Sequence, residues 1–161
     1  MSTPLASQPT RKLLVIADET PECRLALRYA ARRARHTNGR LSLLYVIEPM
    51  GGQEWMAVEE RMREEARDEA ERHLYELAEE ANTATGLIPE LIIREGGTKE
   101  EILAFIREEP DIRLLVLGAG TGREGPGPLV SSLAGDLAAV YTVPVTIVPG
   151  GMSPDAIDAL A

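Results

Sequence analysis

The chain has 161 residues but one cysteine, two histidines, an excess of acid over base and no apolar run near the roughly 20 residues a membrane-spanning helix needs. Each shortage excludes something. The lone cysteine, Cys23, cannot close an internal disulfide, and a chain without a disulfide framework fits a reducing compartment, so a cytoplasmic setting is the simplest expectation. His36 and His73 lie far apart with no ligand spacing around either, which argues against metal or triad chemistry. Seventeen basic side chains against 26 acidic ones give a net charge of −9, which disfavours general affinity for nucleic acid or an anionic membrane surface. The opening MSTPLASQPTRK has no apolar signal core, and residues 1–11 read as a short disordered lead-in.

What is present alternates. KLLVIAD (12–18) is a continuous apolar run, the pattern of a strand buried on both faces of a parallel sheet. Thr20 as N-cap and Pro21 at the first helical position open a helix that Asn38 and Gly39 stop. RLSLLYVIEP (40–49) is a second strand. Trp55, Val58, Met62, Ala66, Ala70, Leu74, Leu77 and Ala81 then fall at steps of three and four, the stripe of one long amphipathic helix whose carboxylates (59–80) face water. PELIIREGG (89–97) is a third strand, and Thr98 with Glu101 reads as a capping box for a helix reaching Glu109. IRLLVLG (112–118) is a fourth strand. Leu133, Leu137 and Val140 mark a helix over 131–141, VPVTIVPG (143–150) is a fifth strand, and residues 151–161 form a tail with the signals of a short helix.

This order predicts a single-domain α/β fold over 12–150, a five-stranded parallel sheet with helices on both faces, Rossmann-like in character. Ligands of such sheets bind beyond the carboxyl ends of the strands, where Asp18, Glu48 and the loop after Gly118 should converge.

That loop, GAGTGREGPGPLVSS (118–132), is not a Walker A loop, since no Gly-x4-Gly precedes Lys-Ser or Lys-Thr. GTGREG (120–125) matches Gly-x-Gly-x-x-Gly but follows the fourth strand, whereas a dinucleotide fingerprint follows the first. Two readings stay open. Glycine amides and the start of a helix near Ser131 could cradle an anion, with hydroxyls from Ser131 and Ser132; or Ser131 simply caps that helix and the loop is a surface turn. Arg123 at the loop tip could meet a phosphate or be a solvated charge, and Cys23 could be a thiol activated by its helix or a small packed residue.

VIAD-ETPEC after the first strand, LLYVIEP in the second, GGTKEEI before the third helix and LVLG…SS…VPVTIVPG at the end together resemble the universal stress protein family, over residues 12–150. The resemblance implies an adenine nucleotide alpha hydrolase-like fold, a homodimer, and one of two classes, ATP-binding or not. ATP binders carry Gly-x2-Gly-x9-Gly followed by Ser or Thr. Counted back from Pro144, the first glycine is Gly118, but Thr121 and Ser131 stand at the other two, and Ser132 keeps the hydroxyl. A shifted frame, Gly122, Gly125, Gly135, puts Asp136 at the hydroxyl position and is rejected.

The same correspondence implies Ala17 and Asp18 near an adenosine, Leu41 beside the adenine and Leu117 before the ribose position. Phosphates would lie against Gly118, Gly120, Thr121 and Gly122 and the amides of Ser131, Ser132 and Leu133. The reading is a cytoplasmic dimer that acts by binding an adenine nucleotide, ATP among the candidates, with Mg2+ only alongside ATP, and without significant turnover. Its rivals are a nucleotide-independent interaction protein and a slow ATPase using Asp18, Glu48 or Glu124. The last strand, apolar and expected at a sheet edge, predicts antiparallel pairing of two copies through Val145, Thr146, Ile147 and Val148.

Overall fold

The computed structural model describes residues 11–49, 56–133 and 140–161, the side chains of 56–59 excepted. Residues 1–10 of the expected lead-in, Trp55, the Val58 side chain and Leu137 lie outside these residues. Strands β1 (Lys12–Ile16), β2 (Arg40–Ile47), β3 (Glu90–Glu95), β4 (Ile112–Ala119) and β5 (Val145–Pro149) form one parallel sheet in the order β3-β2-β1-β4-β5. The helices are α1 (Pro21–His36), α2 (Met56–Thr85), α3 (Thr98–Glu108), α4 (Pro128–Leu133) and α5 (Pro154–Leu160).

The apolar runs are continuous because both faces of the sheet are covered. Leu13 and Val15 pack under α1, α2 and α5, while Leu14 and Ile16 pack under α3 and α4. Alternation along one strand thus feeds two cores. Ala26, Ala30, Ala31 and Ala34 make up most of the buried stripe of α1, with Cys23 and Leu27, and their small side chains let the helix lie close on the sheet. The helix ends where Asn38 turns left-handed (φ 56°) and the Gly39 amide donates back to the Ala34 carbonyl at 2.7 Å.

Three local expectations change. Thr20 stands at the N-cap position of α1, but its hydroxyl caps nothing and donates instead to Asp18. The Thr98–Glu101 capping box does not form. Gly97 is the N-cap, Thr98 is the first residue of α3, and Glu101 turns away to pair with Arg94 at 3.4 Å. Glu48, at the end of β2, takes over the cap from another part of the chain. The helix after β4 begins at Pro128, not near Ser131, because proline is already set for a first helical turn.

The last eleven residues are held to the body of the fold. Ile157 is fully buried against α1, the Ser153 hydroxyl accepts from the Ala156 amide at 3.2 Å, and Arg28 grips Asp158 through two hydrogen bonds of 2.6 Å. Arg32 Nε also lies 2.6 Å from Asp158, off the hydrogen-bond direction. No helix of the described residues is long and apolar enough to cross a membrane.

Candidate functional site

The chain lays β2 and β3 on one side of β1, then β4 and β5 on the other. Crossovers leaving β1 and β4 therefore diverge, and a crevice must open between the carboxyl ends of those two strands. A cleft of about 350 Å3 lies there, near the lower end of small-molecule sites. Its apolar walls come from Ile16, Ala17, Val46 and Leu117 at the strand ends and from Leu129 and Val130 on α4. Its polar rim carries four carboxylates, Asp18, Glu22, Glu48 and Glu100, against one cation, Lys99.

Asp18 closes β1 in a tight turn. Its carboxylate accepts from the Thr20 amide at 2.8 Å and from the Thr20 hydroxyl, its carbonyl bonds to His73 Nε2 from α2, and its amide lies 3.5 Å from Cys23 Sγ. His73 also meets the Tyr45 ring edge-on at 6.2 Å, and Tyr45 lines the cleft. Spacing gave His73 no role, yet the topology brings it from α2 to the back of the Asp18 turn.

Cys23 is buried, and burial pushes its thiol up to about 12. Loss of hydration outweighs the helix start, so the group is a protonated thiol tying α1 to the end of β1, donating to the Ile16 carbonyl at 3.7 Å. On the far rim the Thr98 hydroxyl and amide donate to Glu48 at 2.6 and 3.3 Å and hold its carboxyl below the ordinary range.

Gly118 is required here by packing. A Cβ on it would lie 2.4 Å from the Glu22 carbonyl oxygen, so the first turn of α1 can rest on the end of β4 only if this residue has no side chain. The loop beyond closes on itself. The Gly120 amide donates to the Pro126 carbonyl and the Gly125 amide to the Gly122 carbonyl, both at 3.1 Å.

Of the residues singled out from sequence, the structure brings Ala17, Asp18, Leu117 and Gly118 together around the cleft. Leu41 is not there. It pairs with Leu13 near the amino end of β2, at the opposite edge of the sheet from the cleft, and is buried in the core. Tyr45, Val46 and Glu48 are what β2 contributes. Gly120, Thr121 and Gly122 belong to the self-bonded loop, outside the cleft lining, as do the exposed Arg123 and Glu124. Ser131, Ser132 and Leu133 also lie outside it, because α4 starts three residues earlier than expected. The Ser131 amide is spent on the Gly127 carbonyl at 3.0 Å, and the Ser132 hydroxyl donates to the Pro128 carbonyl at 2.6 Å. Among the residues missed, Glu22 and Lys99 lie inside the ETPEC and GGTKEEI stretches and Leu129 inside the loop GAGTGREGPGPLVSS, but none was given a role there. Only strand polarity and the proline at 128 could have pointed to their neighbourhood. Among the described residues no group of three or more His, Cys, Asp or Glu side chains is placed to hold a metal ion.

The strand order and the cleft at the switch point between β1 and β4 place the chain among the doubly wound parallel α/β folds. The family model of the universal stress protein family matches residues 9–149, and the chain belongs to that family. Its fold is similar to that of the universal stress protein UspA from Lactobacillus plantarum (TM-score 0.74, 19% identity, 88% of this chain and 99% of that one). It is also similar to the universal stress protein from Archaeoglobus fulgidus in complex with dAMP (0.63, 22%, 88% and 99%) and to a universal stress protein in complex with cAMP (0.61, 18%, 89% and 100%). A search of curated proteins gives no match.

Proposed function

We propose that this protein binds an adenine nucleoside or nucleotide in the cleft between β1 and β4 and acts by binding, without significant turnover. The observation that carries this is the convergence of Ala17, Asp18, Leu117 and Gly118 at the switch point, over a cavity of about 350 Å3 with apolar walls. A purine would lie against Ala17, Val46 and Leu117, with Asp18 accepting a hydrogen bond from the ligand. Two structural relatives named as complexes with cAMP and dAMP support the same ligand class.

On the rim the Thr20 and Thr98 hydroxyls donate to the Asp18 and Glu48 carboxylates. Pairing of two copies along β5 completes the proposal, supported by its place at the sheet edge. The test is calorimetry of the purified protein with adenosine and with AMP, alongside anion exchange of the supernatant after denaturation. Saturable heat with either ligand is expected. No heat with both would overturn the reading in favour of a nucleotide-independent interaction protein.

A further inference from the structure

A carboxylate stands at the Gly118 edge of the cleft. Glu22 lies in the first turn of α1, with its backbone seated on Gly118 and its side chain reaching across to the start of the loop. A Cβ on Gly120 would lie 3.0 Å from Glu22 Oε1, so the carboxylate itself occupies the space above that glycine. Glu22 is half-buried, lines the cleft and has no hydrogen bond or ion pair among the described residues. Among the described residues no cationic side chain pairs with it, and only the start of α1 offsets its charge.

The groups that could offset it are committed elsewhere or few. The Gly120 amide is donated to Pro126, and the Ser132 hydroxyl is donated to Pro128. Lys99 is the one cation of the lining, on the α3 side, and it shares that rim with Glu48 and Glu100. A ligand phosphate reaching the Gly118 edge of the cleft would meet the Glu22 carboxylate, unpaired among the described residues and partly desolvated, where like charges repel more than in water.

We infer that Glu22 is a specificity-determining residue, which makes the cleft accept adenosine or an adenosine monophosphate and disfavours di- and triphosphates. The inference rests on the proposal that the cleft binds an adenine ligand, and the experiment separates the two. The full chain is titrated by calorimetry with adenosine, AMP, ADP and ATP in EDTA, at about 0.05 M and about 0.5 M salt. Binding of adenosine and AMP reads the function; the ratio of AMP to ATP affinity reads Glu22.

ATP should bind at least about tenfold more weakly than AMP at low salt, with ADP between them, and the gap should narrow at high salt as the carboxylate is screened. Glu22→Gln, which keeps the shape and removes the charge, should tighten ATP about tenfold while adenosine changes less than about twofold. ATP binding as tightly as AMP in the unaltered protein overturns the inference and leaves the binding function standing, as does a substitution that moves all four ligands together. Silence from all four overturns both. Should Glu22→Gln fold poorly, the salt dependence of the unaltered chain decides: a ratio that salt does not change means that charge is not the selector.

Discussion

The carboxylate of Glu48, at the carboxyl end of β2, caps α3 by accepting from both the amide and the hydroxyl of Thr98, at 3.3 and 2.6 Å. A strand thereby fixes the start of the helix that forms one wall of the cleft. The hydroxyl bond, then the amide bond, lowers the Glu48 pKa from its ordinary 4.5. A carboxyl held lower in the folded than in the unfolded chain stabilises above the unfolded value, and loses that contribution as the pH falls through the folded value. Glu48→Gln should therefore melt at a lower temperature than the unaltered protein at about pH 7, and the difference should close below 4.5 as the natural side chain is itself neutralised. Paired thermal melts across this range check it; a gap that persists in acid would mean that shape, not charge, makes the cap.

Gly118 and Glu22 give a second test. A methyl group at 118 would meet the Glu22 carbonyl oxygen at 2.4 Å, and backbone cannot rotate away as a side chain can. Gly118→Ala should cost about 1–3 kcal/mol or more in urea unfolding, with no ligand present. Unchanged stability would return this glycine to a purely ligand-binding role.

Cys23 should be inert in the folded protein. With its thiol pushed up to about 12 and its side chain buried, a disulfide reagent at about pH 8 should label it only as fast as the chain opens, and at once in denaturant. Rapid stoichiometric labelling of the native protein would revive the reading of an activated thiol.

The strands were legible because burial on both faces writes them as unbroken apolar runs: every residue of β1 is buried. The site was legible only where it is backbone topology. Asp18 and Gly118 follow the two strands that flank the switch point, so order alone points to them. Leu41 lies away from the cleft, since resemblance counts positions and does not weigh strand direction; from β2, Tyr45, Val46 and Glu48 at its carboxyl end line the cleft. Ser131 and Ser132 lie inside α4 and outside the cleft lining: serine near a helix start suggests a cap, whereas Pro128 had already set the first turn. Glu22 and the Glu48 cap could not be foreseen. Each depends on a contact between segments distant in sequence, Glu22 with Gly118 to Gly120 and Glu48 with Thr98, and no local pattern records such meetings.

Ser42 is a conflict between sequence and core. It is fully buried in β2, on the face that packs under α3, and among the described residues its hydroxyl has no hydrogen-bond partner. A buried hydroxyl without a partner is a net cost, so Ser42→Ala should raise stability by about 1 kcal/mol. Leu44→Ala, two residues along the same face, should instead lose about 2–5 kcal/mol. A loss of stability in Ser42→Ala would show that the hydroxyl is satisfied in solution.

Assembly is tested on β5, which lies at the edge of the sheet beyond β4. The Leu115 amide donates to the Pro144 carbonyl at 3.0 Å, and Leu115 pairs with Val145 in register. In a parallel ladder the hydrogen-bonding direction alternates, so Thr146 turns its amide toward β4, while Val145 and Ile147 direct theirs to the open edge. Val148 is buried in the core, whereas Ile147 is 41% exposed. Proline at 146 would thus break the sheet itself and test nothing about association. Ile147→Lys is the informative change, since lysine at the edge sets two like charges against each other across a two-fold axis and leaves the β4 ladder intact. Light scattering at micromolar concentration should give a dimer for the unaltered chain and a monomer with an unchanged circular dichroism spectrum for Ile147→Lys. A monomer from the start, or a dimer indifferent to the lysine, would remove β5 as the interface.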